Sequence, residues 1–510
     1  MPIQPRVAAL SILLAVVVCA IVNPGNFGTI DTTRRLQAER WIRLGEPPVR
    51  RGDIDARFGL VGRHGVVHPW YGVGQSLVLL PFDLLVGTAA APALERAGLD
   101  GEKQRQVREL LIAFLMQAVL TSALLLLARA LLAGFGFGPV AAAAGAISLL
   151  LATTCLVYVQ CAQENELLLV LALTALVSIR RWETSGAAGW AALAGAAGGF
   201  AVLVRLPSLA DAAVFAVLGL AAGGGRKRFL AAYLVPVGLG VLADRWYHWV
   251  RFGEWFSTYA TMLGRQARMP GASVPFPFSY PFGKGFLGAF DSPDKSILLF
   301  DPLLLLVGAM AVCRWRRLDR RMRAALVSFA GLLLLYNAFY ARYFDFGGDV
   351  AWGHRFLTVP VQLLALFAVP LLMREGCALP PVWRRAAWAV VAVAVGLQVV
   401  STTMVSAVEV TQRERGDSHG VLWNRAENLA EAVTGRVEES RFAGIPREWR
   451  ALTYLPFQLR FRFPRLANWA MAAWWILVVS VPLLVRAVCR AAGGNPAWLP
   501  HRARTAAEKP

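Results

Sequence analysis

The side chains with chemical potential in this chain stand at the edges of apolar runs. Asp31 follows the first such run by a few residues, in Asn26-Phe27-Gly28-Thr29-Ile30-Asp31-Thr32-Thr33. A carboxylate at such a boundary is partly desolvated yet open to water-soluble or lipid-borne groups, which suits a general base. Asp31 also precedes the helix-like segment 32–44, so it fits an N-cap as well. Glu164 and Glu166 bracket a second boundary; one is expected to face a cavity and the other water. Asp211 lies inside an apolar run, where a carboxylate marks either a functional position or a hydrogen bond to another helix. His64 and His68 have the i, i+4 spacing of a metal-binding helix face. Gly65 and Pro69 argue against a helix there, and no HExxH glutamate accompanies the pair, so no metal or other cofactor is expected.

These groups must be positioned by helices solvated in lipid. Of the 510 residues, 57% are hydrophobic and only 16% charged, and the mean hydropathy is +0.51. That composition excludes an ordinary soluble domain, because whole helices must be apolar all round. The six cysteines form no CxxC pair, so no disulfide framework or zinc site is indicated. A net charge of +20 raises the possibility of a nucleic-acid partner. Arginines gathered at helix ends explain it better, since there they meet lipid phosphates, and no nucleic-acid partner is expected.

The first apolar run, 7–22, lacks a small-x-small cleavage site and reads as a retained signal anchor. Eleven more runs follow, at about 109–133, 139–159, 167–179, 187–204, 206–222, 229–243, 296–313, 324–341, 356–373, 386–408 and 466–485. The fold class expected is therefore all-α, a polytopic membrane protein of about twelve transmembrane helices. A further apolar run, 71–93, carries Pro81, Asp83 and Pro92 and reads as a helix lying in or dipping into the interface. With the N-terminus inside, the short loops 180–183, 225–228, 314–323 and 374–385 face the cytoplasm. Together they hold fourteen lysines and arginines, while the short opposite loop 160–166 holds none. That asymmetry is the positive-inside pattern. It puts both termini in the cytoplasm and three long loops, 23–108, 244–295 and 409–465, on the outer face with most of the polar residues. Alternating arginines and aromatics at 456–465 read as an interfacial anchor.

Several motifs, in order, resemble the C-type membrane glycosyltransferases, lipid-carrier-dependent enzymes related to the protein mannosyltransferases (family 39) and the aminoarabinose transferases. An acidic residue, Asp31, follows helix one, and Tyr71-Gly72-Val73-Gly74-Gln75-Ser76-Leu77 precedes the next helix. Gln163-Glu164-Asn165-Glu166 sits where the family carries an acidic residue between helices three and four. Val204-Arg205-Leu206-Pro207 is similar to its "xRP". Phe290-Asp291-Ser292-Pro293-Asp294-Lys295 is similar to "fSPxk" of one bacterial branch, and 346–356, ending Trp352-Gly353-His354-Arg355-Phe356, to its "WgGxxwGxRyl". Thr32 and His354 depart from the branch's usual glycine and proline. The resemblance covers 1–375 as a glycosyltransferase membrane module; 376–510 adds C-terminal helices and a cytoplasmic tail.

The resemblance implies a sugar donor on a polyprenyl phosphate, with Asp31 as base and Glu164 as a second catalytic candidate. The leaving phosphate needs cations at the outer boundary. Arg355, His354, Lys284, Lys295 and Arg342 are the candidates, with His68, Arg205 and Asp291 as further site residues. The acceptor, a glycan, a lipid or a protein, is reached from the extracytoplasmic side of a bacterial inner membrane. A secondary transporter or lipid flippase is the alternative, but neither repeat symmetry nor a clear mid-membrane polar site on broken helices is evident.

Overall fold

The computed structural model describes residues 4–49, 59–223, 225–268, 276–348, 351–416, 419–434 and 442–493. In lipid every backbone polar group needs an internal partner, so apolar runs of this composition become helices. α1 (Pro5–Val22) opens on a proline, which gives up only an N–H that has no helical partner. α2 (Ile30–Leu44) is capped by the Thr29 hydroxyl and ends at Gly45 in the left-handed conformation. Next come an antiparallel hairpin, β1 (Gly59–Val61) with β2 (Val67–Pro69), then α3 (Gly74–Ala89) and α4 (Ala91–Arg96). The hairpin is the only sheet among the described residues.

α5 (Gly101–Gly134) starts at Asp100, whose carboxylate accepts from the Lys103 N–H. α6 (Pro139–Leu151) and α7 (Cys155–Cys161) are bent by 56° at their junction. Asp301 accepts from the Thr154 N–H at 2.7 Å and from its hydroxyl at 3.0 Å, satisfying donors that this break exposes. α8 (Glu164–Ser185), α9 (Ala188–Val204), α10 (Leu209–Ala221) and α11 (Arg226–Phe252) form a packed block. A Cβ on Gly199 would lie 2.5 Å from the Pro236 carbonyl and one on Gly240 2.4 Å from the Gly199 carbonyl, so small residues set how closely α9 and α11 approach.

The short α12 (Tyr259–Gln266), α13 (Phe282–Asp291) and α14 (Ile297–Phe300) lead to α15 (Leu303–Arg314) and α16 (Arg320–Tyr340). α17 (Thr358–Ala365) and α18 (Ala368–Glu375) run through the centre: 94% of the apolar stretch between Arg355 and Ala378 is buried. α19 (Pro381–Ser401), α20 (Ser406–Glu414), α21 (Val421–Thr434) and α22 (Leu455–Arg462) precede α23 (Pro464–Ala491). α23 packs on α1 and is only 17% buried over its apolar window, as suits a peripheral, lipid-facing helix.

Seven described helices are long and apolar enough to cross a membrane: α1, α5, α11, α16, the α17–α18 stretch, α19 and α23, or eight if α6–α7 counts as one bent span. The twelve apolar runs therefore exceed the helices that qualify on length and composition. The shortfall has a physical source. α9, α10 and α3 are apolar but short, and α8 carries charged residues at both ends. The run 71–93 forms α3 and α4. Asp349 and Val350, inside the segment 346–356, and the tail 494–510 lie outside the described residues.

Candidate functional site

The site begins at the first turn of α2. The N-cap is Thr29, whose side chain accepts from the Asp31 N–H. The expectation that Asp31 itself caps this helix is thereby corrected. Its carboxylate lies past the cap position, and the Tyr71 hydroxyl donates to its Oδ1 at 2.5 Å. Arg355 Nη1 donates to Oδ2 at 3.1 Å. Asp31 is buried.

Tyr71 reaches this carboxylate because the chain after β2 lies hard against the end of α9. A Cβ on Gly72 would stand 2.2 Å from the Leu203 carbonyl oxygen, so only glycine fits there. Burial and the neighbouring Asp31 charge raise the Tyr71 phenol well above its ordinary range, against the lowering effect of Arg35. Tyr71 is thus a hydrogen-bond donor to the carboxylate.

One turn along α2, at i+4 from Asp31, the Arg35 guanidinium lies 4.2 Å from the Tyr71 ring centroid. Its Nη2 is 2.8 Å from Glu164 Oε2, and Arg205 Nη2 donates to Glu164 Oε1. Arg205 occupies the break between α9 and α10. Asn165, the next residue after Glu164, donates to the Arg355 carbonyl at 2.8 Å and so ties the start of α8 to the Arg355 turn. Five elements far apart in sequence therefore meet in one cluster of two carboxylates, three guanidiniums and one phenol.

Asp31, Arg35, Tyr71, Glu164, Arg205 and Arg355 all line a cavity of about 1900 Å³. One flank is apolar and includes Leu206, Leu209, Leu335 and Phe339, of which Leu335 and Phe339 are half-exposed on α16. Another flank comes from the C-terminal part of the chain and includes Ser406, Arg413, Glu448 and Trp449. Asp345 on the same wall also acts on Arg355, and Arg355 Nε and Arg35 Nε and Nη1 are buried without a hydrogen-bond partner. Spare guanidinium donors on a cavity wall suit an anion such as a phosphate.

Other predicted residues lie elsewhere. Lys284, Asp291 and Lys295 line a separate cavity of about 850 Å³. The Lys295 ammonium donates to the Ala351 carbonyl at 2.8 Å, bracing the loop that leads to Arg355. Arg342 is exposed and outside both linings. His354 is buried with neither ring nitrogen hydrogen-bonded. Burial, with the nearby Lys295 charge, pushes its imidazole down to about 3, so it is neutral and supplies no charge to a phosphate. His68 packs edge-on to Trp41 and Phe252, and burial with Arg251 pushes it down to about 4.

Glu166, expected on one side of its boundary or the other, faces neither cavity nor water. It is buried and accepts from the Thr121 hydroxyl at 2.6 Å. Asp211 accepts from the Tyr336 hydroxyl at 2.7 Å, the interhelical hydrogen bond foreseen as one of its two roles. Among the described residues no group of three or more His, Cys, Asp or Glu side chains is placed to hold a metal ion.

Arg35 and Tyr71 were not singled out from sequence. Arg35 had a usable signal in its i, i+4 spacing from Asp31. Tyr71 had one in the glycines after it, which demand close packing against another backbone.

No protein-family model, curated protein or solved structure matches the chain.

Proposed function

We propose that this chain is a membrane glycosyltransferase of the C-type fold, with about twelve membrane passages. It moves a sugar from a polyprenyl-phosphate carrier to an acceptor at the extracytoplasmic face of a bacterial inner membrane. The observation that supports this reading is the convergence of a buried carboxylate, Asp31, with three guanidiniums on the wall of a large cavity that has an apolar flank. The apolar flank suits a polyprenyl tail and the guanidiniums suit its phosphate. Asp31 is the group positioned to take a proton from an acceptor hydroxyl. In this reading the acceptor oxygen attacks the anomeric carbon, the bond from that carbon to the phosphate oxygen breaks, and its electron pair leaves with the phosphate. Arg355 and Arg205 stabilise that charge, and Glu164 holds Arg35 and Arg205 in place.

A transporter or flippase reading draws on one feature, the α6–α7 break with Asp301 at its junction. Broken helices line substrate paths in many carriers. Lipid and glycan analysis of a deletion strain separates the two. A transferase deletion accumulates a polyprenyl-phosphate sugar on the outer leaflet and loses a glycan modification. A flippase deletion holds the same lipid on the inner leaflet. A deletion that alters neither would overturn both readings.

A further inference from the structure

In the ligand-free site the base and the phosphate-binding cation neutralise each other. Arg355 Nη1 is 3.1 Å from Asp31 Oδ2, and the Tyr71 hydroxyl occupies Oδ1 at 2.5 Å. Both carboxylate oxygens of Asp31 therefore already accept a hydrogen bond before any acceptor hydroxyl arrives. The Arg355 guanidinium cannot offer its full donor fork to a phosphate while one arm is bound to Asp31. Yet Arg355 keeps a buried, unpartnered Nε, and so does Arg35 beside it. An arriving phosphate therefore meets a cation with unmet hydrogen-bonding capacity.

On the glycosyltransferase reading above, we infer that Asp31 and Arg355 form an interlock: the donor phosphate takes Arg355 from Asp31, and only then is Asp31 free to deprotonate the acceptor. The Tyr71 hydrogen bond stays with Oδ1 through the exchange, making Tyr71 a positioning residue that holds the carboxylate while Oδ2 is vacated. The acceptor proton then passes to Oδ2, the acceptor oxygen bonds to the anomeric carbon, and the departing phosphate oxygen takes the bonding electron pair beside Arg355. Binding order follows, donor before acceptor. The site does not activate an acceptor before a sugar donor is present.

The test measures binding of polyprenyl phosphate, without sugar, to the purified full-length protein, with polyprenol as the control. Asp31→Asn removes the competing charge, so polyprenyl phosphate should bind more tightly, by roughly tenfold if most of the free protein holds the interlocked pair. Arg355→Gln should weaken the same binding by a similar factor. Unchanged or weaker binding to Asp31→Asn, with the Arg355 dependence intact, would overturn the interlock and leave the glycosyltransferase reading standing. Equal binding of polyprenol and polyprenyl phosphate to the wild type would overturn that reading itself.

A second measurement needs no variant. A lipophilic carbodiimide labels carboxyl groups that can take up a proton, and Asp31 labelling in the wild type should rise several-fold when polyprenyl phosphate is added. Constant or reduced labelling would contradict release of Asp31.

Discussion

Helix α2 carries a charge cluster at each end, and the two differ in what they face. At its N-terminal end Asp31 and Arg35 meet Tyr71, Glu164, Arg205 and Arg355, drawn from four other parts of the chain, and all six line the large cavity. At its C-terminal end Glu39, Arg40 and Arg43 meet Asp83 of α3. Arg40 donates to Asp83 at 2.7 and 3.2 Å, Arg43 to Asp83 at 2.5 Å and to Glu39 at 2.6 Å. None of these four lines the cavity. Their charges balance, two against two, and they bind one helix to its neighbour. Both clusters bury carboxylates against arginines. Burial and ion pairing therefore do not by themselves distinguish the two ends; facing an open volume does.

The largest expected effect is on Asp31. Asp31→Asn keeps the size of the side chain and leaves the Thr29 cap untouched. Its ability to restore the modification in a deletion strain should fall about 10²–10⁴-fold, the usual contribution of a general base. Expression should hold, and Tm should fall only as far as the loss of Arg355's buried partner requires. Near-normal complementation would move the base elsewhere, with Glu164 the next carboxylate on the wall.

Asp83→Asn should differ in sparing activity. Breaking this largely buried pair costs about 3 kcal/mol, seen as a lower Tm in detergent, while transfer per folded molecule stays close to wild type. If Asp83→Asn removed activity without lowering Tm, the contrast between the two ends of α2 would collapse.

Arg355→Lys keeps the charge and loses the planar fork. Donor affinity should fall by roughly tenfold, about the worth of one good charge-assisted contact, and protein yield should hold. Unchanged affinity would make Arg355 a structural partner of Asp31 only.

The smallest expected effect is that of a chelator. On the proposed reading transfer should continue in excess EDTA, because guanidiniums would meet the phosphate charge. Loss of activity restored by Mn²⁺ or Mg²⁺ would point to Asp53 and Asp55. Their Asp-x-Asp spacing suits a metal-binding pair, and both lie outside the described residues.

Much of this site was legible residue by residue and little of it as a constellation. Asp31, Glu164, Arg205 and Arg355 each stand where an apolar run begins or ends, which flags them individually. Which of them meet depends on how α2, the Tyr71 segment, α8 and the α9–α10 break pack, and periodicity carries no such information. Lys284, Asp291 and Lys295 satisfied the same boundary rule as Arg355, yet the fold gives them to another cavity. The helical class was plain from composition. The number of spans was not, because short helices such as α9 and α10, and bent pairs such as α6–α7, blur the relation between an apolar run and a membrane crossing.

The most direct measurement follows the leaving group. Purified protein is supplied with a pool of polyprenyl-phosphate sugars and with acceptor membranes from the deletion strain, and free polyprenyl phosphate is quantified by mass spectrometry. The wild type should release it only when acceptor membranes are present, and Asp31→Asn should release almost none. Equal release by both proteins, or none from the wild type in the presence of donor and acceptor, would contradict the assignment of this cavity as a sugar-transfer site.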